Sequence, residues 1–103
     1  MQFKGKYGTY DVEMKISSYN KNGQTRLDFV DSQDGQPILT ATSCIDEDLL
    51  PNEVAIKNYS ENEGVLDFMM NEEIISSPLR YYKSGYVNIE ICKINETLLN
   101  KSI

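Results

Sequence analysis

Carboxylates are the main reactive groups this chain offers. It has 16 Asp and Glu against 10 Lys and Arg, and no histidine. Without histidine it lacks the commonest general base and the commonest transition-metal ligand. Cys44 and Cys92 lie far apart in the chain, and two thiols with no histidine do not make a zinc site. No G-x-S-x-G or Ser/Lys signature accompanies the serines. The six glycines are scattered at turns and form no phosphate-binding loop.

Two groups of acids stand out. Asp46, Glu47, Asp48 and Glu53 surround Pro51, and Asp28, Asp31 and Asp34 crowd a strand and the turn after it. Either group has the oxygen ligands that Ca²⁺ or Mg²⁺ prefers, but neither has the ligand spacing of an EF-hand loop. A solvated acidic face accounts for both. A hydrolase with two carboxylates would need them roughly 5–9.5 Å apart in a cleft, and nothing in the pattern signals a cleft. The expectation is therefore a protein that is not an enzyme, with no metal and no cofactor.

Two stretches carry groups suited to binding. In Lys57-Asn58-Tyr59-Ser60-Glu61-Asn62-Glu63, a strand end feeds a helix start and gathers a lysine, an aromatic ring and free amides. This layout suits a small polar ligand held by Lys57, Tyr59, Ser60 and Asn62, although Glu61 and Glu63 oppose an anion. The structural alternative is a capping box, with Ser60 and Glu63 exchanging hydrogen bonds at the helix start. The second stretch is Arg80-Tyr81-Tyr82-Lys83 with Tyr86. Tyrosine beside arginine and lysine is typical of protein-binding surfaces, and aromatic residues are equally at home packed across strands.

The elements that must position these residues are mostly strands. Tyr10, Val12, Met14 and Ile16 alternate with Asp11, Glu13 and Lys15, so residues 1–16 read as two strands turning at Gly8-Thr9. Asn22-Gly23 and Asp34-Gly35 mark further turns, around a third strand over 25–30. A fourth strand is expected over 37–45, with Pro37 at its start or on an edge. An acidic loop precedes a short strand at Val54-Ala55-Ile56. The capping box then starts one amphipathic helix over about 61–72, with Val65, Leu66, Met69 and Met70 at helical spacing. The chain closes with a hairpin turning at Ser84-Gly85. Its last arm carries Val87, Ile89 and Ile91 on one face. The class is α+β: a mostly antiparallel sheet of five to seven strands covered by one helix. Residues 1–94 form the single domain, and residues 95–103 form a polar C-terminal tail that frays.

Composition bounds the setting. The chain has 103 residues, 40% hydrophobic, enough for one modest core. The start alternates polar and apolar residues, unlike a secretory leader, and no apolar run is long enough for a membrane helix. These features point to a cytoplasmic protein with Cys44 and Cys92 as reduced core thiols. On this view the N-x-S/T triplets at Asn58, Asn95 and Asn100 arise by chance. The net charge of −6 argues against direct nucleic-acid binding and favours solubility or a basic partner.

Three runs together resemble a small uncharacterised family of bacterial, phage and conjugative-element proteins. They are Ser18-Tyr19-Asn20-Lys21-Asn22-Gly23-Gln24-Thr25 continuing to Asp34-Gly35-Gln36-Pro37, Pro51 to Lys57 followed by Tyr59-Ser60-Glu61-Asn62-Glu63-Gly64, and Ser84-Gly85-Tyr86-Val87. The resemblance implies a mobile-element setting and no particular activity. It also implies a glycine closing the helix, where this chain has Glu73. By association, it implies an accessory protein that binds host machinery or a host defence. The expected function is thus a non-enzymatic protein-protein interaction. The alternative is a small-ligand, nucleotide-like binder using Lys57 and Tyr59. A protein partner is expected, no membrane association is, and a homo-oligomer is compatible with the sequence.

Overall fold

The computed structural model describes residues 1–101. The class is α+β, with every strand pair antiparallel. The strands form two sheets rather than the single one expected. In the first, β1 (Gln2–Gly5), β2 (Gly8–Ser18), β3 (Thr25–Asp31) and β4 (Pro37–Thr40) lie side by side in chain order. In the second, β7 (Val87–Lys93) lies between β5 (Glu53–Ile56) and β6 (Arg80–Ser84). Pro37 opens β4 on the sheet edge, as its missing N–H requires.

Ala41 to Ser43 accounts for the two sheets. The expected fourth strand ends at Thr40, and the chain then changes partners. The amide of Ala41 still donates to Leu27, whereas Ser43 donates to Ala55 and Lys57 donates back to Ala41. Thr42 bridges Ile56. One segment thus closes the first sheet and covers the free edge of β5. Alternation of side chains continues through this exchange, so periodicity alone does not reveal it.

The main core lies between the sheets. Phe3, Val12, Leu27 and Phe29 enter it from the first sheet, and Val54, Ile56, Cys92 and Ile94 from the second. A smaller cluster of Ile45, Ala55, Ile89 and Ile91 covers the other face of the second sheet. β7 is therefore buried on both faces at Ile91 and Cys92, whereas toward the hairpin its second face carries Asn88 and Glu90. Cys92 belongs to the core, where burial, reinforced by Glu90, pushes its thiol up to about 12. Cys44 is exposed and unpaired, which corrects the expectation of two core thiols.

The helical region departs most from expectation. Ser60–Asn62 is a 3-10 turn, and the helix α1 spans only Val65–Asn71. The capping box does not form. Ser60 sits at φ 58° and Gly64 at φ 95°, so the chain reverses hand twice before the helix begins. The first turn of α1 is instead capped from a distance: Asn58 Oδ1 accepts from the Leu66 amide at 2.9 Å. Val65 and Met69 are buried beneath α1, and Phe68 meets Phe3 and Phe29 edge-on, with centroids 5.1 and 5.5 Å apart.

At its C-terminus α1 ends in a Schellman arrangement. Ile74 donates to Met69 and Glu73 donates to Met70, with Glu73 at φ 58°. The backbone thus adopts the left-handed turn that glycine would favour, and Glu73 occupies it. Two turns also shift from expectation. The first hairpin turns through Lys6-Tyr7, because Gly5 pairs with Gly8. The last turns through Gly85-Tyr86, because Ser84 pairs with Val87.

The tail is not loose throughout. Glu96–Lys101 is a second short helix, α2, whose Thr97 amide is capped by Asn95 Oδ1 at 3.0 Å. Leu98 packs on the main core. The remainder of the expected tail, including Ser102 and Ile103, lies outside the described residues. Among the described residues, no helix is long and apolar enough to cross a membrane.

Candidate functional site

Lys57 leaves the end of β5 where the two sheets meet. Its ammonium donates to Glu61 Oε1 at 2.7 Å and lies 5.8 Å from the centre of the Tyr59 ring. Hydrogen bonds from Lys57, from the backbone of Glu61 and from Ser60 push the Glu61 carboxyl down to about 2. Lys57 is raised in turn, chiefly by its hydrogen bond to Glu61. Both groups therefore stay charged across the neutral range.

A groove of about 410 Å³ opens beside this pair. Lys57 and Tyr59 line it from one side, and Tyr82 and Ser84 of β6 from another. Tyr19 and the segment Thr42 to Asp46 complete the wall, with Ile89 also among the lining residues. Tyr19 is held in place. Its hydroxyl lies 3.0 Å from both the Thr42 carbonyl and the Thr42 hydroxyl, and the Arg26 guanidinium stands 5.5 Å from its ring centre. The thiol of Cys44 donates to Asn22 Oδ1 at 3.4 Å.

The acidic segment beside the groove is fastened from both ends. Gln24 Nε2 donates to the carbonyls of Ile45 and Glu47 at 3.1 and 2.8 Å, and Gln24 Oε1 accepts from the Ile45 amide at 3.0 Å. Asn22 adds a bond to the Ile45 carbonyl at 3.0 Å. At the far end Glu53 accepts from the Leu50 amide at 2.9 Å. Ile45 and Leu49 are thereby pressed onto the outer apolar face of the second sheet.

Of the eight expected binding residues, the structure gathers Lys57, Tyr59 and Tyr82 in the groove. Asn62 is not available to a ligand: it is buried, and its Nδ2 donates to the Thr40 carbonyl at 2.6 Å. Arg80 is committed to Glu53 at 2.7 Å and lies 3.6 Å from Glu47. Ser60 is exposed, and its left-handed backbone shapes the turn. Tyr81 lies across the strand from Glu90, while Tyr82 lies across from Ile89 and beside the groove. Tyr86 stands at the hairpin tip.

The solvated acidic face holds only in part. Glu53 is 5% exposed and belongs to β5 rather than the loop. Asp28 binds the Arg26 guanidinium at 2.9 Å and accepts from the Thr40 hydroxyl at 2.6 Å. Asp31 and Asp34 accept from nearby backbone amides and shape their own turn. Among the described residues, no three metal-ligating side chains converge. Sequence reasoning missed Tyr19, Thr42 and Cys44 as groove residues, because partner exchange at Ala41–Ser43 is what brings them there.

Compared with protein-family models, curated proteins and solved structures, the chain matches none.

Proposed function

We propose that this protein works without catalysis, as an interaction module that docks on another protein. One observation carries the reading. Lys57 and Tyr59, from one stretch, share an open groove with Tyr82 of β6, beside a hairpin whose Tyr81 and Tyr86 are 62% and 108% exposed. Tyrosine is among the residues that contribute most to protein-protein contacts. The engagement of Glu53, Asp28 and Arg80 in internal pairs also favours binding over carboxylate chemistry. The mobile-element setting implied by the resemblance makes host machinery, including host defence, the proposed target.

The test is affinity capture from bacterial host lysate, comparing the wild type with a Tyr59→Ala, Tyr82→Ala double variant. The expected result is a discrete partner retained by the wild type and recovered several-fold less by the variant. Capture of nothing above background, or equal capture by both, overturns the proposal. A second reading, a small planar ligand of nucleotide type, draws on the groove itself. Its volume of about 410 Å³ suits such a ligand, and Lys57 supplies a cation. A thermal shift of several degrees with one member of a nucleotide panel would favour that reading instead.

A further inference from the structure

The two sheets have four edge strands, and three of them are covered or blunted. β5 is bridged by Thr42 and Ser43. β4 begins with Pro37 and is met at Thr40 by Asn62. β1 is only four residues long, carries an exposed lysine, Lys4, and packs on its core face against α1 through Phe3 and Phe68. β6 is open: among the described residues, no backbone hydrogen bond from outside the hairpin reaches Tyr81 or Lys83.

The strand carries Arg80 and Lys83, yet it and its flanks also expose large apolar side chains. Leu79, Tyr81 and Tyr86 are 51%, 62% and 108% exposed. They are half of the exposed large hydrophobic residues in the described chain, all within one strand and its flanks. An open edge carrying such residues is a template for pairing with another strand.

The geometry of the hairpin fixes how that pairing would run. Gly85, at φ 60°, takes the first central position of a two-residue turn, and Ser84 and Val87 close it. The closing pair is hydrogen-bonded, and alternation then directs the backbone groups of Ser84 and Tyr82 toward β7. Those of Lys83 and Tyr81 point away from the sheet. Leu79 and Arg80 both face Ile91, so a bulge ends the regular ladder there.

We infer that β6 pairs antiparallel with β6 of a second copy of this chain, about a two-fold axis through Tyr82. This goes beyond the docking function proposed above and stands without it. The outward-facing residues set the register. With Tyr82 opposite Tyr82, Lys83 and Tyr81 exchange backbone hydrogen bonds with Tyr81 and Lys83 of the other copy. All five residues of β6 are then paired. Charge agrees with this choice. Each Lys83 lies beside a Tyr81 ring, a cation–π pair made twice. Arg80 meets Ser84, and no like charges face each other. Shifting the strands by two residues toward the turn, which keeps outward groups paired, would set Lys83 opposite Lys83. The chosen register also brings Tyr86 of each tip toward Leu79 and Pro78 of the other copy. The product is a continuous six-stranded sheet. Its two Tyr82 side chains meet at the axis and join the two grooves.

Sedimentation equilibrium of the purified chain across the micromolar range tests the inference. Twice the chain mass is expected for the wild type. Lys83→Pro removes one outward amide per copy and should weaken dimerisation about ten-fold or more, with an unchanged circular dichroism spectrum. Because a proline variant can fail to fold, cysteine cross-linking in a Cys44→Ser background tests the register separately. Tyr82→Cys should form a disulfide-linked dimer under mild oxidation, and Tyr81→Cys should not, because each Tyr81 faces Lys83. A monomer at all concentrations overturns the inference. So does cross-linking from position 81 as readily as from 82.

Discussion

Arg80 clasps Glu53 through two nitrogens, at 2.7 and 3.2 Å, joining the two outer strands of the second sheet, and it also lies 3.6 Å from Glu47 of the acidic segment. The Glu53 carboxylate is 5% exposed, and the same carboxylate accepts from the Leu50 amide at 2.9 Å. Hydrogen bonds from Arg80 and from the Leu50 backbone outweigh burial and hold its carboxyl below the ordinary range. Residues 45–50 are thus fastened at one end by Gln24 and at the other by this pair.

Removing either partner should loosen that segment, and unequally. Glu53→Ala should cost about 2 kcal/mol in urea unfolding, the usual scale for charged hydrogen bonds. Arg80→Ala should cost more, because it leaves a buried carboxylate without its counter-charge. The pH dependence has a definite sign. A carboxyl whose folded value lies below its ordinary 4.5 stabilises fully above that pH and progressively less below it. The stability gap between wild type and Glu53→Gln should therefore narrow as pH falls below 4.5. A gap independent of pH from neutral to acid would contradict this account.

Glu73→Gly should stabilise the protein. Glu73 holds φ 58° at the end of α1, where a residue with a Cβ costs about 1–2 kcal/mol relative to its preferred conformations. Glycine removes that strain but adds freedom to the unfolded chain, so a net gain of roughly 0.5–1 kcal/mol is expected. Glu73→Ala keeps the strain and should give no gain. Thermal or urea unfolding of the two variants decides the matter, and a destabilised glycine variant would contradict the assigned turn.

Thiol chemistry offers a test independent of stability. Cys44 is exposed, whereas Cys92 is buried with its thiol pushed up to about 12. A disulfide reagent should titrate one thiol quickly in the native protein and two in denaturant, and Cys44→Ser should abolish the fast reaction. Two fast thiols, or none, would contradict the placement of Cys44 at the groove.

The strands were legible where apolar residues recur at every second position. Tyr10, Val12, Met14 and Ile16 announced β2 by alternation, and Val87, Ile89 and Ile91 announced β7. The division into two sheets was not legible, because Ala41–Ser43 changes partners while keeping the strand period. The helix start was misread for a local reason: Ser60 and Glu63 have the residue types and spacing of a capping box, but Gly64 turns the chain between them and the helix. Glu53 looked solvated because its partner lies 27 positions away. Lys57, Tyr59 and Tyr82 were identified from local character. Their convergence with Tyr19 and Thr42 depends on tertiary pairing that no window of sequence contains.

Site-specific photo-cross-linking inside host cells tests the docking function most directly. A benzophenone side chain would replace Tyr82 in one variant and Asp34, on a turn outside the groove, in another. A discrete adduct between this chain and a different protein, formed from position 82 and not from position 34, is the predicted result. No adduct from position 82, an adduct with a second copy alone, or the same adducts from both positions would contradict it.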